Sequence, residues 1–330
     1  MNSTNNQKKD DVIIFGLSKG YEIAKKVALK TNLKLGEVEV RHFLDQEMIV
    51  RILSSVRDKR VFLIQSTSTP VNDSLMELLI AIDSLKRASA KRIYVVMPYF
   101  GYARQDRKVH GREPITAKLV ADLLTSIGCH RITTFDLHSS QIQGFFNIPV
   151  DDLHAVTEIY KYLATNIFNK YPKKDCIIVS PDQGGIARAR QLATAADLEI
   201  AIIDKRRPKP NVAEVMNILG NVKDKICIMI DDIIDSGGTI IRGCDKLNQF
   251  GAKKIYVIAT HAVFSGDACK NLNQCDSIEE VIVSDSIPLS KEKHFPKLHI
   301  ISLVNFLSDI IAANVYGDSI SKVYQKHTTL

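Results

Sequence analysis

Six short segments gather the residue types that bind and transfer phosphate. The first is Ile230-Asp231-Asp232-Ile233-Ile234-Asp235-Ser236-Gly237-Gly238-Thr239. An apolar strand ends in two acids, and a small-residue turn then opens a helix. Backbone N–H groups at such a turn suit a phosphate. The acids above it suit sugar hydroxyls or a hydrated Mg²⁺. An ordinary capped strand-to-helix turn is the plain alternative. The GxxxxGK[ST] pattern is missing, which excludes a Walker-type loop. The second segment, Pro98 to Pro114, sets Arg104, Arg107, Lys108 and Arg112 among Tyr99, Phe100 and Tyr102. Guanidinium groups with aromatics suit a nucleobase plus phosphates, or single-stranded nucleic acid. A solvated basic loop is the alternative.

Four further segments follow the same logic. Asp136-Leu137-His138 places an imidazole just past a strand, where it can ligate a metal, work as acid or base, or be structural. Ser180-Pro181-Asp182-Gln183-Gly184-Gly185 sets an acid before a Gly-Gly helix start, as a Mg²⁺–phosphate site requires. Asp204-Lys205-Arg206-Arg207-Pro208-Lys209-Pro210 concentrates cations that can close over developing phosphate charge. A solvated turn or a localisation-type basic patch would read the same way. In Phe43-Leu44-Asp45-Gln46-Glu47, strand spacing puts Asp45 and Glu47 on one side. They can accept hydrogen bonds from an adenine amino group or a ribose, or be plain surface acids.

The elements that must hold these segments are short β-branched runs alternating with amphipathic stretches. Strands are predicted at 12–16, 61–65, 92–96 and 131–135, then at 176–179, 199–203, 226–230, 254–259 and 280–283. Helices are predicted near 20–30, 72–88, 115–127, 154–168, 184–196, 238–250 and 267–273. In the second of these, Leu75, Leu78, Leu79, Ile82 and Leu85 recur at helical steps, with Asn72, Asp73 or Ser74 as the expected cap. This alternation predicts an α/β fold of two similar units, each a mostly parallel sheet flanked by helices. In such sheets ligands sit at the carboxyl ends of strands, where these segments lie. The expected organisation is a polar tail at 1–10, an N-terminal α/β domain at 11–150, a C-terminal α/β domain at 151–305, and a helix and tail at 306–330.

Composition narrows the class. The 330 residues are 45% hydrophobic and 25% charged, which excludes a disordered chain, a collagen-like fibre or a small disulfide scaffold. Lys+Arg 44 against Asp+Glu 37 gives a net charge of +7, suited to nucleic acid or to polyanionic small molecules. Acids mixed into each basic segment argue against nucleic acid as partner. The six cysteines form no CxxC pair and read as buried free thiols, with zinc the weaker alternative. No apolar stretch approaches the roughly 18–20 residues needed to span a bilayer. The polar start lacks the apolar core of a secretory signal. A reducing cytoplasm and no membrane association are therefore expected.

Several stretches together resemble one family. They are Gln65–Asn72, Tyr102–Arg107, Arg112–Lys118, Asp136–His138, Gln141–Phe146, Asp204–Pro208, Asn211–Val215 and Asp231–Thr239. In this order, from about residue 11 to about 322, they resemble the class I ribose-phosphate diphosphokinases, or phosphoribosyl pyrophosphate synthetases. The resemblance implies two phosphoribosyltransferase-like domains and transfer of the β,γ-diphosphoryl group of Mg-ATP to the 1-hydroxyl of ribose 5-phosphate. By position it implies ATP contacts from Phe43, Asp45, Gln46, Glu47, Arg104, Gln105, Asp106 and His138. It implies His138 and Asp182 at Mg²⁺, and Lys205 and Arg207 on a mobile catalytic loop. Asp231, Asp232, Asp235, Ser236, Gly237, Gly238 and Thr239 would hold ribose 5-phosphate. It further implies an effector site for inorganic phosphate and ADP near Arg107, Lys108, Arg112, Ser319 and Ser321, and self-association as a dimer or hexamer. Gln46 and Gly111 depart from the commoner family residues. A non-catalytic regulatory homologue would keep the fold but lose the loop residues, which this chain retains. A phosphoribosyltransferase shares the Asp-Asp…Gly-Gly-Thr turn but lacks the Arg104-Gln105 loop and the two-unit length.

Overall fold

The computed structural model describes residues 9–206 and 215–328. The chain divides into two compact units. One comprises Met1–His154, Ser286–Pro288 and Leu303–His327, and the other Ala155–Asp285, Leu289–Ser302 and Thr328–Leu330.

The first unit is built on β1 (Val12–Gly16), α1 (Tyr21–Thr31), β2 (Lys34–Leu35), β3 (Val38–His42), β4 (Met48–Ile52) and β5 (Arg60–Ile64). It continues through α2 (Val71–Arg87), β6 (Arg92–Met97), α3 (Thr116–Ile127), β7 (Arg131–Phe135) and β8 (Val150–Leu153). Its main sheet has the order β2-β1-β5-β6-β7-β8, and every neighbouring pair is parallel. All five residues of β1 are buried, as a parallel strand covered on two faces requires. Leu78, Ala81, Ile82 and Leu85 form the buried stripe of α2. At about 1.5–3 kcal/mol per large apolar side chain, such stripes supply much of the unit's stability. Helix α3 stops at Gly128 (φ +113°), whose N–H closes back on the last turn. Strands β3 and β4 form a separate antiparallel pair.

The second unit runs through α4 (Val156–Asn166), β9 (Cys176–Ser180), α5 (Ile186–Ala196), β10 (Ile200–Arg206), β11 (Val215–Leu219) and β12 (Ile226–Ile234). It goes on with α6 (Gly238–Gln249), β13 (Lys254–Ala262), α7 (Ala268–Gln274), β14 (Glu280–Ser284) and β15 (Leu298–Ile301). The strand order is β11-β10-β9-β12-β13-β14-β15, parallel except for the β10/β11 edge. The chain then returns to the first unit with α8 (Val304–Tyr316) and α9 (Ile320–Thr328). Helix α8 packs on α1, and Arg60 Nη1 donates to the Val315 carbonyl at 3.1 Å.

Three local expectations change. Helix α2 starts after Pro70 rather than under an Asn72, Asp73 or Ser74 cap, and the Ser74 hydroxyl instead donates to the Ser68 carbonyl at 2.7 Å. Strand β12 does not end at Ile230. Pairing with β13 carries it through Ile234↔Ala262, so Asp231 and Asp232 are strand residues. Asp45 and Glu47 are not on a strand, because the chain reverses between β3 and β4 at this point. The cysteines are free thiols, with Cys129, Cys176, Cys227 and Cys244 buried. Burial pushes the Cys129 and Cys227 thiols up to about 12. Among the described residues, no helix is long and apolar enough to cross a membrane.

Candidate active site

In the second unit the chemistry gathers around the end of β12. Asp231 is largely buried and Asp232 almost wholly so. Arg188 of α5 bridges them, its Nη1 lying 3.3 Å from an oxygen of each. The Asp232 N–H also donates to Asp231 Oδ1 at 2.9 Å. Burial and the neighbouring Asp232 carboxylate push Asp231 up to about 7, against the pull of Arg188. Removing Arg188 would strand a buried acid pair. Arg188→Ala should therefore cost about 2–3 kcal/mol of stability at pH 8 in denaturant unfolding. The cost should be smaller at pH 5, where Asp231 takes up a proton.

Beyond the acids, the chain turns through Asp235, Ser236 and Gly237 into α6. Gly237 has φ +76°, a conformation that L side chains avoid, and it caps the helix. An added Cβ there would also meet Leu272 at 3.4 Å. The loop is pinned by Ser265 N–H donating to the Asp235 carbonyl at 3.1 Å. The first N–H groups of α6, from Gly238 and Thr239, point out of the helix start without intrahelical acceptors. Such a helix start can seat an anion, and the acids that precede it can accept from hydroxyls.

Asp182 lies one turn before α5. Its Oδ1 accepts from the Gly185 N–H at 3.0 Å, and its carbonyl accepts from the Ser180 hydroxyl at 2.7 Å. Next to it, Gln183 donates from Nε2 to Asp204 Oδ1 at 3.0 Å. Asp204 is buried and immediately precedes Lys205. Lys205, expected on a loop past a strand ending at Ile203, instead lies within β10, because pairing with β11 carries the strand on and sets Lys205 opposite Met216. Arg207 lies outside the described residues.

In the first unit, Phe43 to Glu47 form the tip of the β3/β4 hairpin. Phe43 N–H donates to the Glu47 carbonyl at 2.8 Å, and Glu47 N–H to Asp45 Oδ1 at 3.1 Å. Gln46 takes φ +73°, and Phe43 and Leu44 are exposed. The loop after β6 leans on Thr67, whose hydroxyl accepts from the Gly101 N–H at 2.7 Å. A Cβ on Gly101 would sit 2.4 Å from the Thr67 carbonyl oxygen, so only glycine allows this approach. Tyr102 (φ +66°) turns the chain, and Gln105 is held by Thr116 Oγ1 at 2.5 Å and by the Ala117 N–H at 3.1 Å. Arg104, Arg107, Lys108 and Arg112 are all exposed, and Asp106 is half-buried. Glu113 folds the basic stretch by accepting from the Val109 and His110 N–H groups at 2.8 Å. Ser319 and Ser321 are exposed at the start of α9. His138 is exposed three residues past β7.

The structure thus brings the second-unit acids and α5 together through Arg188, with the α6 turn following the acids along the chain, while it disposes the first-unit residues on a hairpin tip, a long loop and a strand end. Sequence reasoning missed Arg188 and gave Gln183 no role of its own. Spacing from Asp182 could have flagged Arg188 as a cation on the first turns of the following helix. It also missed a buried network in which Glu77 accepts from Ser18 N–H (2.9 Å) and from Gln65 Nε2 (2.8 Å), behind the Gln65–Asn72 stretch. A cleft of about 520 Å³ beside β1, lined by Leu17, Ser18, Tyr21, Glu37 and Val38 among others, holds none of the predicted site residues. Among the described residues, no three His, Cys, Asp or Glu side chains converge as a metal cage. Mg²⁺ does not ask for one, since it keeps waters and takes one or two carboxylates plus substrate phosphates.

The comparisons with known proteins agree with this reading of the fold. Residues 12–128 match the N-terminal domain of ribose phosphate pyrophosphokinase, and residues 203–325 match the phosphoribosyl synthetase-associated domain. A ribose-phosphate pyrophosphokinase of Fusobacterium nucleatum is 48% identical over 96% of this chain and 98% of that protein. The Mycoplasma pneumoniae enzyme of the same name is 46% identical over 96% of each. The crystal structure of phosphoribosylpyrophosphate synthetase from Mycobacterium smegmatis superposes with a TM-score of 0.86 at 40% identity, covering 93% of this chain and 99% of that one. With two family models in register and such relatives across nearly its whole length, this chain belongs to the ribose-phosphate pyrophosphokinase family.

Proposed function

We propose that this chain is a ribose-phosphate diphosphokinase. The 1-hydroxyl oxygen of ribose 5-phosphate attacks the β-phosphorus of ATP, the bond from that phosphorus to the α-phosphate oxygen breaks, and AMP leaves. The products are AMP and 5-phosphoribosyl 1-diphosphate, a precursor for nucleotide biosynthesis. The observation that carries the reading is the β12–α6 junction: paired acids in the last residues of β12, followed within a few residues by a Gly237-turned helix start.

The α6 N–H groups at Gly238 and Thr239 bind the 5-phosphate, with Ser236 beside them. Asp231, Asp232 and Asp235 accept hydrogen bonds from the ribose hydroxyls and orient the attacking oxygen. Arg188 keeps the acid pair aligned. Phe43, Asp45, Gln46 and Glu47 at the hairpin tip receive the adenine, and Arg104, Gln105 and Asp106 bind the nucleotide. His138 serves the polyphosphate and Asp182 the metal's water shell. Their donor chemistry fits hydrated Mg²⁺, to which His138 would add one ligand. When bound, Mg²⁺ neutralises polyphosphate charge and makes the β-phosphorus easier to attack. Lys205 and Arg207 stabilise charge on the transferring oxygens, since phosphoryl transfer is catalysed chiefly by positioning and fixed cations. Arg107, Lys108, Arg112, Ser319 and Ser321 form an effector site for inorganic phosphate and ADP. The protein works as a homo-oligomer, dimer or hexamer, in the cytoplasm.

The test is ³¹P NMR with Mg²⁺, ATP and ribose 5-phosphate, with and without inorganic phosphate. AMP and a diphosphate-bearing sugar should appear together, and only with the sugar phosphate present. ADP as product would mean monophosphoryl transfer and overturn the reading. ATP binding without turnover would identify a non-catalytic homologue of the same fold.

A further inference from the structure

Asp136 turns the chain just past β7. It is buried, and its φ of +39° is left-handed backbone, which aspartate tolerates better than most L residues. A turn of this kind is kept in one geometry only as far as its surroundings hold it. Here they do so at several points. The Asp136 N–H donates to the Leu153 carbonyl at 2.8 Å, and Leu137 N–H donates to Asp152 Oδ1 at 3.1 Å. The Asp136 carboxylate lies 3.1 Å from His154 Nδ1. His154 is held in turn by α9, because its backbone N–H donates to the Tyr324 hydroxyl at 3.0 Å. A second, apolar path runs beside the first. The Tyr324 ring packs edge-on against Phe306 of α8 at 5.0 Å, and Phe306 packs against Phe135, the last residue of β7, at 6.1 Å. Both paths end on the turn that delivers His138. His327 adds an anchor for α9, its Nε2 lying 2.9 Å from Asp309 of α8. Burial alone would raise Asp309, but the hydrogen bonds from Lys326 and His327 outweigh it and hold the carboxyl below its ordinary range.

We propose that Tyr324 and His154 are positioning residues for His138, so that the last helix of the chain, through the Asp136 turn, sets the geometry of the polyphosphate-binding imidazole. The inference rests on the role assigned to His138 in the proposed function. Neither residue touches the reacting atoms. Each acts by holding the Asp136 turn in one geometry.

The experiment is a double-mutant cycle on the full-length protein, read by steady-state kinetics and thermal unfolding. Tyr324→Phe keeps the ring on Phe306 and removes only the hydroxyl. It should raise KM for ATP by about three- to tenfold, the scale of one lost hydrogen bond. KM for ribose 5-phosphate should stay within about twofold, since the sugar site lies on other elements. His154→Asn keeps the backbone N–H to Tyr324 but withdraws the ring from Asp136, and it should give the same split. Combined with His138→Ala, neither variant should add a further loss, because a residue acting only through His138 has nothing left to position. An impaired His138→Ala enzyme whose loss multiplies with that of Tyr324→Phe would overturn the strut and leave the role of His138 standing. Equal changes in the two KM values with a lowered Tm would mean packing alone and would also overturn it. A His138→Ala enzyme with unchanged kinetics would overturn the role of His138, and the strut with it.

Discussion

Lys205→Ala should lower turnover by about a thousandfold while leaving KM for ATP within about threefold. The scale is that of removing a fixed cation from a phosphoryl-transfer site. The position supports a contribution to the transition state rather than to binding. Lys205 sits in the last strand pairs of β10, opposite Met216, just before residues 207–214. The Gln183 amide fastens the preceding Asp204 to the Asp182 loop. The backbone is thus registered immediately before Lys205. A fixed cation gains most when negative charge grows on the transferring oxygens, and little while ATP merely docks. Lys205→Arg keeps the charge but changes its shape, and should recover only part of the rate. Steady-state kinetics with ATP and ribose 5-phosphate separates the two parameters. A large rise in KM for ATP with unchanged turnover would contradict the assignment.

The second large effect concerns Asp231. At pH 8, where the carboxyl is ionised, Asp231→Asn should cut kcat/KM for ribose 5-phosphate by about ten- to a hundredfold, because the carboxylate proposed to accept from the sugar hydroxyls becomes a neutral amide. The same change should stabilise the protein at pH 8. The sign follows from the direction of the shift. Burial and Asp232 hold the folded-state pKa at about 7, above the ordinary 3.8. The folded state then binds the proton more tightly than the unfolded state, so this carboxyl favours folding most below pH 4. That contribution is lost as the pH rises towards 7, above which the buried charge counts against the fold. Asparagine carries no such charge. The gain at pH 8 should be roughly 1–2 kcal/mol after allowance for Arg188 and the exposed part of the side chain, and it should shrink at pH 5. Thermal unfolding at the two pH values measures it. A loss of stability at pH 8 would mean that the Arg188 bridge outweighs the cost of burial.

How much of this was legible in sequence depended on whether a signal was local. Apolar runs such as Val12–Gly16 and Ile226–Ile230 are strands because they must be buried on two faces, and their periodicity carries that requirement. The strand-end rule therefore located the neighbourhoods of His138, Asp182 and the α6 turn, while Lys205 proved to lie within β10. It failed where pairing across the sheet decided the outcome. Strand β12 outruns its apolar segment because β13 pairs with it through Ala262, so the Asp231 and Asp232 backbones are extended rather than turned. Strands β2, β3, β4, β8, β11 and β15 were not foreseen: β2, β8, β11 and β15 are two to five residues at a sheet edge, and β3 and β4 pair only with each other, so none carries much periodicity of its own. The roles of Arg188, Gln183 and Tyr324 were missed for a related reason. Each matters through a partner 21 to 170 positions away, and no spacing rule reaches that far.

The return of α8 and α9 to the first unit bears on how the chain is made. That unit draws on Met1–His154 and again on Leu303–His327, with the second unit's residues between them. During synthesis the sheet from β1 to β8 emerges early, but the helix that covers α1 and the stack of Phe306 on Phe135 arrive last. The second unit has nearly all its own residues before the first has its final helices. Vectorial synthesis therefore lets the later-coded unit complete its core first, while the earlier-coded one waits with an uncovered apolar face. Nascent chains stalled before α8 would carry the Asp136 turn without the aromatic backing that reaches it from Phe306 and Tyr324.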